Sequence, residues 1–382
     1  MNRKLLLVST ASRWLGTARM PRSLARAGFE VFLLAPRYSL ALASRFVTRS
    51  VVLRDEATPM QWLLSLVAMI NEVDPNVVVP CDEVAIRLLF ELVRNPPRHI
   101  DGEAGRKVTS LVRRSLGNPE HYETSIDKTL LPAAAMALAV PVPRHAIAHS
   151  VDEAVRLANG LDYPVVLKRR YGFATQGVAI IRHPDEVRAA AARLLRAMQL
   201  DLGVERPPAL LVQAFVDGPT QSQTMVAFDG VPLAGFARQR EVIFATDKGA
   251  SAVVRLRKLP HIRDCTERIC RAFGMSGFFS VQYIAPVDGS DPLLLEINRR
   301  IVTFMHTDEH CGVDLCGALF QRLAGVPQTL PADMRDGQDS IVVSFPREWL
   351  RDPESPWLRD YPSDAPWDDP GVLRALVSLR HE

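Results

Sequence analysis

Lysine is scarce in this sequence: of 46 basic residues only six are lysines, and 40 are arginines. Acidic residues number 43, so the formal net charge is +3, which excludes the clustered basic surface typical of nucleic-acid-binding domains. Five cysteines, an odd number in a long chain, do not make a disulfide framework, and we expect buried free thiols in a reducing compartment. No apolar run approaches the roughly 20 residues of a membrane-spanning helix, and Arg13 arrives too early for a signal-peptide core. These absences predict a cytoplasmic protein with no nucleic-acid or membrane partner.

The first 120 residues have the pattern of a small parallel sheet with flanking helices. The predicted elements are strands over residues 4–8, 30–35 and 76–79, and helices to about residue 27 and over residues 59–73. The loop after the first strand contains one glycine, Gly16, so the three-glycine dinucleotide fingerprint is absent. A dinucleotide-dependent oxidoreductase is therefore the weakest functional alternative.

The rest of the chain divides into a mixed middle and a proline-rich end. Its predicted elements are strands over residues 163–168 and 178–181, a helix from Pro184 to about residue 200, and mostly strands between residues 210 and 298. A capping box of Ser150 and Glu153 predicts one more helix start. Residues 331–382 contain three tryptophans, and we predict an irregular wrap over the body that buries them.

A polar trio on two predicted strands is the most informative feature. Glu296 and Asn298 are two residues apart in a strand, so their side chains share one face of the sheet. If the hairpin is symmetric about Gly289, Gln282 lies opposite Glu296 on that face. One carboxylate and two amides favour Mg²⁺ held partly by phosphate oxygens. The alternative is a polar trio that faces water.

A glycine loop follows a strand that ends in a lysine. Residues 164–178 read PVVLKRRYGFATQGV, in which Lys168 ends the strand and small residues recur between Gly172 and Gly177. The backbone amides of such a loop can surround phosphate oxygens, while the lysine ammonium supplies a point charge. A plain β-hairpin turn is the alternative.

Two further groups of residues leave alternatives open. His306 and His310 are four apart and predict either a zinc site without an identified third ligand or, more simply, a lining of a substrate pocket. Four arginines alternate along strand-like segments: Arg238, Arg240, Arg255 and Arg257. They are candidates to bind a substrate carboxylate, and the alternative is that they lie on solvated strand faces.

Five segments occur in the order and spacing of a known superfamily. They are Asp127-Lys128, the Lys168 strand with its glycine loop, residues 211–218 (LVQAFVDG), residues 249–251 (GAS) and residues 296–300 (EINRR). From about residue 120 to residue 325 the chain resembles the ATP-grasp superfamily. Within it, the chain is similar to the carboxylate–amine ligase and carbamoyl-phosphate-synthetase-like branch, where a glutamine precedes the glutamate and asparagine, as Gln282 does here.

The resemblance implies a fold and a division of the chain. The fold would be an ATP-grasp fold of the α/β and α+β classes, preceded by a Rossmann-like parallel-sheet domain. The expected divisions are the Rossmann-like domain at 1–120, the lid subdomain with the glycine loop at 121–209, the subdomain with the metal site at 210–330, and a C-terminal extension at 331–382.

The resemblance also implies site residues. ATP would be bound at its phosphates by Lys128, Lys168 and the loop residues Gly172, Thr175, Gln176 and Gly177, and at its adenine by the hinge backbone of Gln213, Ala214, Phe215 and Val216. Mg²⁺, with Mn²⁺ as an alternative ion, would be held by Gln282, Glu296 and Asn298. The expected catalytic residues are Lys168, at the ATP phosphates, and Arg300, which would neutralise the transferring phosphoryl group or an acyl-phosphate oxygen.

The implied activity is ATP-dependent joining of a small-molecule carboxylate to an amine, through an acyl phosphate and with release of ADP and phosphate. A homodimer is compatible with this expectation. The chain departs from the family pattern at Arg299, Ala214 and Thr220, where the family usually has a proline and two glutamates. These departures keep one alternative open, a catalytically silent ATP-binding or regulatory module of the same fold.

Overall fold

The computed structural model describes residues 3–11, 13–54, 57–96, 102–172, 177–198, 207–244, 250–327 and 331–379. Its strands are β1 (Arg3–Val8), β2 (Phe29–Pro36), β3 (Arg49–Leu53), β4 (Val77–Pro80), β5 (His145–Ala148), β6 (Val165–Arg169), β7 (Val178–Ile181), β8 (Leu210–Ala214), β9 (Thr220–Phe228), β10 (Val231–Ile243), β11 (Ser251–Arg257), β12 (Gly277–Ile284), β13 (Leu293–Asn298) and β14 (Asp339–Val343). Its α-helices are α1 (Leu15–Arg26), α2 (Pro59–Val73), α3 (Glu83–Arg94), α4 (Gly102–Leu116), α5 (Tyr122–Ile126), α6 (Leu131–Ala137), α7 (Val151–Ala158), α8 (Glu186–Met198), α9 (Pro260–Ala272), α10 (Leu315–Leu323), α11 (Arg347–Arg351), α12 (Pro356–Asp360) and α13 (Pro370–Ser378).

The first sheet is parallel and has the strand order β3-β2-β1-β4. Its central strand, β1, has an apolar run that is buried on both faces, as parallel strands covered by helices require. Helix α2 begins after Thr58, whose hydroxyl accepts from the Gln61 N–H while the Gln61 side chain accepts from the Thr58 N–H. The strands and helices predicted for this part of the chain are confirmed within one or two residues at their ends.

The second sheet has the order β5-β8-β6-β7 and packs against α7 and α8. Strand β8 hydrogen-bonds to both β5 and β6. Strand β8 therefore belongs to the second sheet, although it follows the predicted division between residues 209 and 210. The Ser150 hydroxyl caps α7, but the Glu153 carboxylate accepts from the His149 N–H, so the predicted capping box forms only in part.

The third sheet has six antiparallel strands in the order β13-β12-β9-β10-β11-β14. One face packs on α6 and α9, and the other shares a core with the first sheet through residues such as Phe236 and Met305. The first sheet and the third are thereby held in a fixed relation by one apolar cluster. No helix in the described ranges combines the length and the apolar character needed to cross a bilayer.

The C-terminal segment is more regular than the sequence predicts. Strand β14 extends the third sheet by pairing with β11, and three short helices follow it. The prediction that its tryptophans are buried is wrong for Trp367, which is 77% exposed, while Trp349 and Trp357 are half-buried. One anchor of this segment is polar and buried: the Asp364 carboxylate accepts from the Arg19 guanidinium at 3.3 Å and from His306 Nε2 at 3.1 Å.

This anchor predicts a loss of stability in acid. Burial lowers the pKa of His306 from its usual 6.5, and Asp364 opposes that shift while Arg19 and His310 add to it. Because unfolded histidine takes up a proton that native His306 resists, we expect the free energy of unfolding to fall as the pH drops below 6.5. His306→Asn should flatten the slope of this free energy between about pH 6.5 and 5, measured by urea unfolding. His183→Asn, at an exposed histidine, is the control, and an equal flattening there would refute the assignment.

A glycine after β8 allows a close backbone approach. Gly218 has φ +150°, and a Cβ there would lie 1.8 Å from the Ala285 carbonyl oxygen. Gly289 has φ +79° but open space around it. We expect Gly218→Ala to lower the free energy of unfolding by roughly 2–3 kcal/mol and Gly289→Ala by about 1 kcal/mol, measured by urea unfolding, since only the first adds a clash to backbone strain. Equal losses would show that residues 217–219 do not depend on this contact.

Candidate functional site

The polar trio meets on one face of the third sheet. The β12–β13 register sets Gln282 opposite Glu296 and Ser280 opposite Asn298, as the hairpin symmetry predicted. The register of the β12–β13 pair shifts between Gln282 and Tyr283, immediately after Gln282 along β12. Asn298 Nδ2 donates to Glu296 Oε1 at 3.3 Å, so these two side chains are also in contact.

Two lysines from different elements face the Glu296 carboxylate. Lys128 Nζ lies 3.1 Å from Glu296 Oε2, and Lys168 is close enough to stabilise the same carboxylate electrostatically. Burial raises the pKa of Glu296, but the two ammonium groups outweigh it and hold that pKa below its usual value. Burial lowers the pKa of Lys168 to about 8, with Glu296 opposing the shift and Lys128 adding to it. Among the described residues, the Lys168 ammonium has no hydrogen-bond acceptor, so it is available to an anionic ligand.

Lys128 is also tied to the start of the glycine loop. Its Nζ donates to the Gly172 carbonyl at 2.9 Å, and its N–H donates to the Arg170 carbonyl at 2.9 Å. The preceding residue, Asp127, pairs with the Arg170 guanidinium. Gly177 has φ +85°, which suits a glycine at the end of the loop. The predicted loop residues Thr175 and Gln176 lie outside the described residues.

A cavity of about 220 Å³ lies between the second and third sheets. Its apolar walls come from both sheets, from Val166, Val178 and Ile180 on one side and Ile284 and Leu295 on the other. Two apolar surfaces facing each other fit a flat aromatic ring such as a purine. Predicted residues that line the same cavity are Lys168, Gln213, Ala214, Phe215, Val216, Gln282 and Glu296.

The backbone of the hinge after β8 lies at this cavity. The Ala214 N–H donates to the Arg144 carbonyl and the Phe215 N–H to the Pro164 carbonyl. The Val216 N–H has no acceptor within the described part of the chain. Thr220, where the family usually has glutamate, also lines the cavity. The next residue, Gln221, is buried outside the cavity lining, and its side-chain amide donates to the Gln239 side chain.

A second cavity, of about 200 Å³, adjoins the first and shares Arg240, Gln282 and Glu296 with it. Its other polar lining includes Arg238, Asn298, Arg300 and Arg347, together with Ser251 and Thr303. Arg238 and Arg240 are two apart on β10, so they reach the same face of the sheet. Arg255 instead pairs with Glu241 and Asp339 away from the cavity, and Arg257 is exposed.

Arg300 is fixed before any ligand binds. Its guanidinium lies 3.2 Å from Glu83 Oε2, donates to Asn298 Oδ1 at 3.0 Å and stacks over the Trp14 ring. Trp14 and Arg300 also border a small cavity of about 170 Å³ near the carboxyl ends of β1 and β4. Arg300 therefore connects the end of β13 to the helix that follows β4 in the first sheet.

The departure at Arg299 has a structural explanation. This buried guanidinium donates to the Leu116 carbonyl and to the Ser125 hydroxyl, and it lies over the Phe90 ring. It ties the end of β13 to the helices of the first part of the chain. Its presence does not remove any group from the two cavities.

His306 and His310 do not form a metal site, and the cysteines are free thiols. His306 bonds to Asp364, and neither His306 nor His310 lines the two adjoining cavities, whereas the preceding residues Val302, Thr303 and Phe304 line the second one. All five cysteines are free and buried, as predicted, and burial raises the pKa of each thiol. Within the described ranges, no three His, Cys, Asp or Glu side chains cluster to hold a metal. A cation near Glu296 would thus need oxygen ligands beyond carboxylates, and the Gln282 and Asn298 amides are of that kind.

Two residues that line the second cavity, Trp14 and Arg347, were not predicted from the sequence. Trp14 lies in the loop before α1, and Arg347 lies in the C-terminal segment, far from the motifs in sequence. A tryptophan next to a loop and one arginine among 40 carry no local signal. Only the tertiary structure brings them to the second cavity.

Comparisons with known proteins find one family model, related sequences and related folds. Residues 206–344 match the family described as ATP-grasp in the biosynthetic pathway with Ter operon. The carbamoyl phosphate synthase large chain of Thermus thermophilus is 28% identical over 196 residues, which cover 49% of this chain and 18% of the synthase. The chain thus spans less than a fifth of that relative.

Two solved structures share the fold over 89% of this chain. Biotin carboxylase from Campylobacter jejuni superposes with a TM-score of 0.67, 13% identity and 74% of its chain covered. L-amino acid ligase from Bacillus licheniformis superposes with a TM-score of 0.60, 14% identity and 79% of its chain covered. Residues 206–344 thus match an ATP-grasp family, and the chain resembles the carboxylate–amine ligase and carbamoyl-phosphate-synthetase-like branch of that superfamily.

Proposed function

We propose that this protein is an ATP-dependent carboxylate–amine ligase that forms an amide or peptide bond through an acyl phosphate. The observation that carries the proposal is the pair of adjoining cavities that share Arg240, Gln282 and Glu296. One cavity has apolar walls, a hinge and a lysine, which suits a nucleotide. The other is lined by arginines, which suits an acid. The shared residues lie where a phosphoryl group would pass from one ligand to the other.

Nucleotide binding follows from the first cavity. The adenine ring would lie between the apolar walls, with the Val216 N–H donating to a ring nitrogen. Lys168 would contact the phosphates, and Lys128 would hold the start of the glycine loop against them through Gly172. Glycine-loop closure would keep water away from the reacting group.

The metal fits the donor set at Gln282, Glu296 and Asn298, which offers one carboxylate and two amide oxygens. Bound there with the phosphates, Mg²⁺ would supply positive charge that stabilises phosphoryl transfer. Lys128 would then leave its direct contact with Glu296 or share that carboxylate. Arg300, held in place by Glu83, would offer its other N–H groups to the same region.

The chemistry requires two steps. A carboxylate oxygen of the acid attacks the γ-phosphorus, the bond to the β,γ-bridging oxygen breaks, and ADP leaves. The amine nitrogen then attacks the acyl carbon, the carbon–oxygen bond to the phosphoryl group breaks, and phosphate leaves while the nitrogen loses a proton to solvent. The residues named here orient the reactants and neutralise charge, and the transfer needs no covalent bond to the protein.

The test is release of phosphate from Mg·ATP with pooled carboxylic acids, with and without pooled amines. We expect release that depends on the acid and rises further with the amine. Binding of Mg·ADP by calorimetry is measured in parallel. Binding without acid-dependent release across the panel would contradict the ligase and favour the silent ATP-binding module.

A further inference from the structure

The second cavity carries more positive charge than a single carboxylate needs. Of its charged lining, Arg300 is compensated by Glu83, and Glu296 by Lys128. Arg238, Arg240 and Arg347 have no carboxylate within ion-pair distance in the described part of the chain. Three guanidiniums therefore line one small cavity without a direct ion pair in the described ranges, and only the longer-range attraction of Glu296 for Arg240 and of Asp364 for Arg347 offsets their charge.

These guanidiniums are held in place by neutral groups. Arg240 Nε donates to the Ser251 hydroxyl at 3.1 Å, and Arg347 Nη1 donates to the Ser251 carbonyl at 3.3 Å. Arg238 lies over the Phe304 ring, 5.5 Å from its centre. Ser251 thus brings Arg240 and Arg347 together from a strand and from a helix of the C-terminal segment. None of these contacts neutralises a charge.

Burial and mutual repulsion disfavour the charged forms of these arginines, as their lowered pKa values show. Burial lowers the pKa of Arg238 to about 9, and repulsion from Arg240 and Arg347 adds to the shift. Burial lowers the pKa of Arg347 to about 10, with Asp364 opposing the shift and Arg240 adding to it. Buried like charges are retained at a cost in stability, and an anion bound among them removes that cost.

The positions of the three arginines divide the cavity. Arg240 lies at the boundary with the nucleotide cavity, beside Gln282 and Glu296. Arg238 and Arg347 line the second cavity and not the nucleotide cavity. A reacting carboxylate at Arg240 would therefore leave Arg238 and Arg347 for another group of the same molecule.

We infer that the acid substrate carries a second anionic group, a carboxylate or a phosphate, which Arg238 and Arg347 bind. The inference rests on the proposed function and extends it to the substrate class. It also gives the C-terminal segment a role, because Arg347 on α11 completes the substrate site. The group is bound but not transformed, so it sets specificity.

The test measures direct binding, without ATP, for matched acids that differ by one anionic group. The probes are succinate against butyrate, aspartate against alanine, and 3-phosphoglycerate against glycerate, with inorganic phosphate alone as a reference for simple anion binding. We expect the wild type to bind at least one doubly anionic acid at least tenfold more tightly than its matched partner and than phosphate. Preference for the dicarboxylates or for the phosphorylated acid identifies the second group.

The variants are Arg347→Gln and, as a control in the same segment, Arg359→Gln, whose side chain is 74% exposed. Arg347→Gln should remove the tenfold preference and leave the affinity for Mg·ADP unchanged, while Arg359→Gln should retain both. Equal binding of the matched acids by the wild type, or an unchanged preference in Arg347→Gln, would overturn the inference. A failure of Mg·ADP to bind the wild type would instead overturn the proposed function.

Discussion

Lys168→Met should lower kcat/KM for ATP by roughly 100-fold or more, since one preorganised charge on a transferring group is worth about that factor. Methionine keeps the length and volume of the side chain and removes only the ammonium. The native ammonium is buried and has its pKa lowered to about 8, so its removal should not reduce the melting temperature. Loss of activity without loss of stability is the signature of a group kept for its ligand. Phosphate release and a thermal melt on the same sample measure both.

Lys107→Met is the matched control. Lys107 forms an exposed ion pair with Asp74 at 2.7 Å, on the first part of the chain. Exposed pairs of this kind contribute about 0–1 kcal/mol, and this lysine lines neither cavity. Its replacement should leave kcat/KM for ATP within about twofold of wild type. Equal losses in the two variants would remove Lys168 from the site.

Glu296→Gln should raise the requirement for free Mg²⁺ by about tenfold or more, because it replaces the one carboxylate of the trio with a third amide. Mg·ATP is held at a saturating concentration, and the concentration of additional free Mg²⁺ is varied. The Mg²⁺ that is bound only to the nucleotide then does not mask the effect of the substitution. The glutamine keeps the shape of the side chain and a hydrogen bond to Asn298. Acid-dependent phosphate release is the readout.

The control for this change is Glu72→Gln. Glu72 forms an exposed ion pair with Arg49 at 2.6 Å on the first sheet and its helix. Its variant should give the wild-type Mg²⁺ titration. If Glu296→Gln also gives the wild-type curve, then Gln282, Glu296 and Asn298 do not hold the metal.

The placement of the polar trio could be predicted because it depends on the side-chain alternation of strands and on one hairpin. The two-residue spacing of Glu296 and Asn298 and the symmetry of the hairpin about Gly289 were enough to place Gln282 opposite Glu296. Both arguments use contacts between residues that are close in the sequence. The same holds for helix α2, whose capping box and N-terminal proline mark its start.

The part that was not predictable depends on contacts between distant residues. Arg347 meets Ser251 across 96 residues, and β14 pairs with β11 across a similar separation. Strand β8 begins just after Pro207 and Pro208, which indicated a division of the chain, yet its hydrogen bonds hold it in the second sheet. His306 resembled a metal ligand in sequence, whereas a buried carboxylate 58 residues away takes its hydrogen bond.

The central claim is that an acid is activated as an acyl phosphate between the two cavities. The most direct test uses ¹⁸O in the carboxylate of an acid that supports phosphate release, with Mg·ATP, the amine and the wild-type chain. We expect one ¹⁸O atom to appear in the released phosphate, because the carboxylate oxygen that attacks phosphorus leaves with it. Phosphate released with no ¹⁸O would contradict the account, since the γ-phosphoryl group would then have passed to water.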